Sequence, residues 1–449
     1  MKLRDPISTA LAIASTLCLA LAGCAGAGAI GAGGNTVTIA MVSNSQMTDA
    51  RKLSGEFEAK NPGTKLRFIV LSENQSRAKI TASTAMGGGE FDVVMISNFE
   101  TPQWARDGWL VNLSDYARKT PGYDENDFIP SLRESLSYNG NMYSVPFYGE
   151  SSFLMYRKDL FEQAGITMSA RPTWQEVADA AARLDTPDRP GICLRGKPGW
   201  GEVLAPVDTV INTFGGRWFD ERWNAQLTSP EVKNAVTFYV DLVRKHGEPG
   251  AATSGFQECA NQMGQGRVAM WYDATSAVSV LEDPKEFPAV AGKIGYAPAP
   301  MAVKDNSGWL YTWALGIPKG AKNPDGAWKF ISWMTGRQYI RTVGEKLGWE
   351  RVPPGSRLST YEIPEYKQAS AAYGPLTLQS IENATPNKPT VQPVPYTGVQ
   401  FIAIPEFQDL GTRVSQQISA AIAGQKSVDD ALAQSQQYAA VVGKTYQEK

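Results

Sequence analysis

The chain has 449 residues, room for two or three domains, with 43% hydrophobic and 20% charged residues and a formal net charge of −2. No basic excess points to nucleic acid, and beyond the N-terminus no apolar run is long enough to cross a bilayer. The single histidine, His246, excludes a multi-histidine zinc site and would have to serve any Ser-His-Asp triad alone; no metal or cofactor is expected.

The first residues carry Lys2 and Arg4, then an apolar run over residues 7–22 that ends in Leu21-Ala22-Gly23-Cys24. About 20 apolar residues are needed to span a membrane, so residues 1–23 read as an export signal rather than an anchor helix. The small pair before Cys24 resembles the lipobox of bacterial lipoproteins, which implies a lipidated Cys24 as mature N-terminus and membrane attachment through that lipid alone. The plainer alternative is an ordinary secretory signal with a chance cysteine; either way the chain works outside the cytoplasm. Residues 24–35 are Gly/Ala-rich and read as a flexible tether. Two cysteines remain, Cys193 and Cys259. An oxidising compartment favours a bridge between them over two separately buried thiols.

Order is expected to begin with a strand at Thr36–Val42. A helix follows, capped by Thr48, with Leu53 and Phe57 on one face and Asn61-Pro62-Gly63 as its stop. Lys65–Leu71 is the next strand, 77–86 the next helix and 91–96 (FDVVMI) a third strand. This alternation predicts a parallel sheet with right-handed crossovers, whose ligands bind beyond the strands' carboxyl ends. Those ends hold Ser43-Asn44, Ser72-Glu73 and Ser97-Asn98-Phe99, which suit a hydroxyl-rich ligand, although Asn and Ser also favour turns. Residues 143–145 and 153–156 read as strands flanking Pro146–Glu150. Thr173-Trp-Gln-Glu176 is a capping box opening a helix to about Leu184. Ser229-Pro230 opens another, with Val232, Val236, Tyr239 and Val243 on one stripe and Gly247 as its stop. Strands are expected at 268–272, 294–297 and 310–317, and a helix from Asn323-Pro324 to Gly336 carrying Trp328, Ile331 and Met334. A Gln- and Ala-rich helix near 428–442 closes an α/β chain with no internal repeat.

Four stretches carry a family resemblance: YGESSFLMYRKDLFEQAGI at 148–166 with PTWQEV at 172–177, GQGRVAMWYDAT at 264–275, WALGIPKGAKNPDGAWKFISWMT at 313–335, and the strand–helix opening down to FDVVMIS. Together they resemble the extracellular solute-binding proteins of ABC importers, in the maltose-binding-type family, over nearly all of residues 36–440. GICLRGKPGWGE at 191–202, with WYDAT at 271–275, is similar to the sorbitol/mannitol-binding branch. The resemblance implies a type II periplasmic-binding-protein-like fold: two α/β lobes, each a mostly parallel sheet flanked by helices, with the ligand in the cleft. One lobe would hold 36–147 and 302–335, the other 148–300 and 336–449, with the helix pair after Gly336 on the second. It also implies a monomer that passes a small polyol or sugar to permease subunits.

A polyol presents hydroxyls, which carboxylates accept through charge-assisted bonds, and C–H faces, which aromatic rings cover at little entropic cost. The family positions offer Glu150, Trp200, Glu202, Asp273, Trp309, Trp349 and Arg351, with Asn44 and Asn98 from the first lobe. Trp200 lies between glycines, where a core role is hard to explain; Trp328 and Trp333 sit in a helix stripe that suits core. Glu202 could instead be a helix N-terminal acid and Glu150 a solvated loop acid. A monosaccharide, disaccharide or glycerol derivative is the alternative ligand. Glu150 and Asp273 could also serve as acid and base of a secreted glycosidase, but nothing in their local sequence assigns either a raised pKa, and the family is non-catalytic. A structural or adhesive surface lipoprotein would not need such acid–aromatic motifs.

Overall fold

The computed structural model describes residues 35–448; the signal over 1–23, Cys24 and nearly all of the tether lie outside them. Strand β1 (Thr36–Val42) is buried over its last six residues, as expected of a strand covered on both faces. It pairs in parallel with β2 (Lys65–Leu71) and with β3 (Val93–Ser97). A small hairpin, β4 (Ser137–Tyr138) and β5 (Asn141–Met142), precedes β6 (Ser144–Glu150). After a single residue, Ser151, the chain enters a second sheet as β7 (Ser152–Arg157), which β8 (Ile192–Cys193), β9 (Met270–Ala274) and β10 (Ile294–Pro298) complete. It then returns to the first sheet as β11 (Tyr311–Gly316). The sheet orders are β2-β1-β3-β11-β6 and β10-β7-β9-β8.

Both sheets are mixed, where mostly parallel ones were expected. The outgoing passage β6–β7 and the returning passage β10–β11 lie side by side in opposite directions. They therefore pair antiparallel twice, β11 with β6 and β10 with β7. In the second sheet β7 also runs antiparallel to β9, leaving β8–β9 as its one parallel pair. A third passage follows the first closely: Gly149 N–H donates to the Pro354 carbonyl at 3.2 Å. A Cβ on Gly149 would sit 2.4 Å from the Gly355 carbonyl oxygen, and Gly355 has φ +63°. Neither position accepts a side chain without movement.

Local capping accounts for several helix starts. The Thr173–Glu176 box closes in both directions, at 2.7 and 3.1 Å, at the start of Trp174–Leu184. Ser229 caps Pro230–His246 and Asn323 caps Pro324–Met334. The helix Ser45–Lys60 is capped by Asn44, whose Oδ1 accepts from Met47 N–H at 2.9 Å, rather than by Thr48, which lies inside it. The next helix, Glu73–Ala85, starts four residues earlier than expected. Arg337–Leu347 packs against Ser45–Lys60 and Pro324–Met334, on the first sheet's side, where the second lobe was expected. Phe407–Ile422 and Val428–Gln447 pack on Pro230–His246, on the second. Cys193 and Cys259 are bonded, with Cα atoms 5.6 Å apart, tying β8 to the helix Phe256–Gly264. No helix among the described residues is long and apolar enough to cross a membrane.

Candidate functional site

A cavity of about 400 Å³ lies between the two sheets, at the ends of β1, β2, β6 and β9. The lobes meet across its rim: Gln46 Nε2 donates to Ser279 Oγ at 2.8 Å, and Asn74 Nδ2 to the Pro198 carbonyl at 3.0 Å. Arg351 makes a stronger tie. It holds Asp49, on the first-lobe helix Ser45–Lys60, at 2.7 and 3.0 Å, and Asp283 and Glu286 of the second lobe at 2.8 Å each.

The first-lobe wall is built by the early start of Glu73–Ala85. That start places Glu73 and Arg77 one turn apart, so Arg77 donates to Glu73 at 2.9 and 3.1 Å. Arg77 also reaches Glu100 at 3.1 Å and the Tyr311 hydroxyl at 2.5 Å. Its guanidinium lies 4.2 Å from the Trp200 ring centroid and 4.8 Å from that of Trp313, within cation–π range. Trp200 comes from the opposite lobe, and its ring also packs on Phe99, 4.7 Å between ring centroids, and more loosely on Phe401 and Phe407. The adjacent Gly201 permits this approach, because a Cβ there would lie 2.4 Å from Glu73 Oε1.

The second-lobe wall centres on Arg195. Its Nε and one terminal nitrogen donate to the two Asp273 oxygens at 2.7 and 2.5 Å, while the other holds the Gly201 carbonyl at 2.8 Å. Glu202 sits 3.6 Å from Arg195 and 3.8 Å from Lys197, and accepts from Phe256 N–H at 3.2 Å. Burial raises its pKa, with the Glu73 charge adding to the effect. On the floor, Glu150 is 6% exposed and accepts from the Ser276 hydroxyl. Burial pushes its carboxyl up to about 8, although Ser276 and Arg195 act to lower it. Trp309, Tyr311 and Trp313 supply aromatic floor beside it.

Of the nine residues expected from sequence, the structure brings Asn44, Glu150, Trp200, Glu202 and Trp309 to the cavity. Asn44 does so with its amide engaged: besides capping a helix, its Nδ2 donates to the Tyr148 hydroxyl at 2.9 Å. Four residues lie off the wall. Asp273 is fully buried beneath Arg195 and also accepts from Trp271 Nε1 at 3.1 Å. It cannot meet a ligand and instead orients the guanidinium that does line the cavity. Asn98 is spent on β11, accepting from Thr312 N–H at 3.0 Å and donating to the Leu310 carbonyl at 3.3 Å. Trp349 packs over Gly344, where a Cβ would come within 2.4 Å of its ring. Arg351 is consumed by the three acids.

Sequence reasoning placed Glu73 at a strand end suited to a ligand without choosing it for the site, like Arg77 just after it, and missed Arg195 and Gln400 as wall residues. The first two carried a signal, an acid and an arginine at helical spacing just past a strand's carboxyl end. Arg195 stood unselected within GICLRGKPGWGE. Gln400 had none, in a proline-rich stretch without periodicity.

A family model described as bacterial extracellular solute-binding protein matches residues 44–340. The chain is 43% identical to a mannitol-binding protein of Pseudomonas aeruginosa, over 97% of each chain. It is 25% identical to an erythritol/L-threitol-binding protein of Mycolicibacterium smegmatis, over 70% of this chain and 69% of that one. Among solved structures, an ABC transporter solute-binding protein from Agrobacterium vitis S4 with bound D-mannitol superposes with a TM-score of 0.89. The identity is 45%, covering 92% of this chain and 99% of that one.

Proposed function

We infer, from the premise that this chain belongs to the bacterial extracellular solute-binding protein family, that it captures a small linear polyol, D-mannitol or a close relative, for an ABC importer. The observation that carries this reading is the cavity's chemistry. Glu150 and Glu202 are buried acceptors for hydroxyls, Arg195 is a fixed donor, and Trp200, Trp309 and Trp313 offer faces for a C–H chain. The identities to a mannitol-binding protein and to a D-mannitol-bound structure support the same choice. The Glu150–Asp273 pairing of a glycosidase fits poorly, since Asp273 faces Arg195 and not the cavity.

Binding would hold the lobes together as they stand here, with the rim contacts of Gln46, Asn74 and Arg351 made, and the closed form would dock on permease subunits. The chain would act as a monomer tethered through a lipid on Cys24. Replacing Cys24 by Ala should then release the protein or leave its signal uncleaved, and unchanged membrane retention would refute the anchor.

A thermal-shift panel of mannitol, sorbitol, ribitol, erythritol, glucose and maltose tests the ligand class. A ligand at about 100 times its Kd adds about 2.7 kcal/mol to stability, so the hexitols should raise the melting temperature most. A shift with maltose and none with any polyol would refute the reading.

A further inference from the structure

The cations that line the 400 Å³ cavity are Arg77, Arg195 and Lys197, and each already holds two acids. Arg77 lies 2.9 Å from Glu73 and 3.1 Å from Glu100, and Arg195 lies 2.5 Å from Asp273 and 3.6 Å from Glu202. Lys197 lies 3.8 Å from the same Glu202 and 3.7 Å from Glu258. Five acids therefore share three cations, and none of the three has charge to spare. A sixth acid of the cavity wall, Glu150, has no cationic partner among the described residues.

Glu150 ends β6, opposite Tyr311 in the ladder, so the sheet fixes where its carboxyl starts. One carboxyl oxygen accepts from the Ser276 hydroxyl. Ser276 is itself held, its carbonyl accepting from Gln46 Nε2 at 3.3 Å and from Ser279 Oγ at 3.0 Å. A hydroxyl supplies a bond but no charge. The other Glu150 oxygen has no partner among the described residues, yet it is not sealed off as the unpartnered atoms of Trp309 and Gln400 are. In a residue that is 6% exposed and lines the cavity, that oxygen is open to the cavity. Burial disfavours its ionised form; Ser276 and Arg195 act against this, while the charges of Asp273 and Glu73 add to it. Buried charges are ordinarily paired, and here the protein supplies no cation at bonding distance.

We propose that the cavity takes cationic polyols as well as neutral ones: alditols with one hydroxyl replaced by an ammonium group, which pairs with Glu150. An ammonium is close to a hydroxyl in size, offers three donors and makes a strong, charge-assisted bond to a carboxylate. The inference rests on the polyol reading and adds a ligand class to it. The same surplus of acids over cations works against an anionic polyol such as an aldonate, whose charge would stand unmatched.

The test is calorimetric titration of the full chain at neutral pH with D-mannitol, its 1-, 2- and 3-amino-deoxy derivatives, and D-mannonate. Mannitol's two-fold axis makes these three amines cover every position along the chain. At least one amine should bind as tightly as mannitol or more tightly, and mannonate should bind more weakly than either. Glu150→Gln should weaken the best amine by roughly ten- to a hundredfold, the worth of one hydrogen bond between charged groups, and weaken mannitol less. The wild-type ranking decides the matter if Glu150→Gln fails to fold. Mannitol binding with every amine weaker, mannonate as tight as mannitol, or a best amine no more sensitive to Glu150→Gln than mannitol would overturn this inference alone. No binding of mannitol or any amine would overturn the polyol reading with it.

Discussion

Arg195 and Asp273 face each other through two hydrogen bonds of 2.7 and 2.5 Å, with Asp273 entirely out of solvent. This pairing explains why an acid stands near the end of a buried strand: it fixes a cavity-lining guanidinium without touching the ligand. Removing one partner of a buried ion pair costs about 3–5 kcal/mol, because the other charge is left unmatched. Asp273→Ala should therefore lower stability by that order as well as weaken ligand binding. Denaturant unfolding of the ligand-free variant checks it. Wild-type stability with lost affinity alone would put Asp273 in the site instead.

Arg351 should govern closure from outside the cavity. It is 6% exposed and joins Asp49 of one lobe to Asp283 of the other. In Arg351→Met the closed form loses this tie, so a smaller share of the free protein is competent to hold ligand and apparent affinity falls in proportion. Small-angle scattering of the ligand-free variant should give a larger radius of gyration than the wild type. Unchanged scattering and unchanged affinity would refute the role.

The buried Glu150 links binding to pH. Its carboxyl titrates at about 8 in the free cavity because burial disfavours the charge. Ligand hydroxyls donating to the carboxylate favour the charged form, so binding below pH 8 expels a proton. Affinity should rise with pH, by at most about tenfold per unit for one proton, and level off above pH 8. Stability of the ligand-free protein should move the other way. A carboxyl whose folded pKa is raised contributes most below its unfolded value of about 4.3 and loses that contribution as pH rises through 8. Titrations in buffers of different ionisation enthalpy measure the proton directly, and Glu150→Gln should abolish the release.

The bridge between Cys193 and Cys259 spans 66 residues of chain. A crosslink of that length contributes about 4 kcal/mol in the chain-entropy account. Cys259→Ser, or reduction, should lower the melting temperature while leaving mannitol affinity nearly unchanged, because neither cysteine lines the cavity. A large loss of affinity at full stability would contradict this.

Much of the scaffold was legible because local rules decide it. β1 ends in an unbroken apolar run, Ile39–Val42, and the Thr173–Glu176 box and the Ser229-Pro230 and Asn323-Pro324 starts name their helices unaided. The helix Leu204–Thr213 gave no such signal, since all ten of its residues are buried and no stripe contrasts with a polar face. Thr48 looked like a cap until Asn44 proved to hold the helix end, a choice that the chain's approach from β1 determines. In the site, residue type was readable and direction was not. Asp273 and Ala274 are successive residues of one strand, and their opposite facing puts Ala274 on the cavity and Asp273 behind it. Arg351 and Asn98 have the chemistry of ligand contacts, but partners from distant segments, invisible in the linear chain, consume them.

The central claim, that this cavity holds a linear polyol, is tested most directly by calorimetric titration of the mature chain with D-mannitol at neutral pH. The account predicts saturable one-to-one binding that Glu150→Gln weakens. No heat with mannitol or any other alditol, from protein that is folded and binds a different sugar, would contradict it.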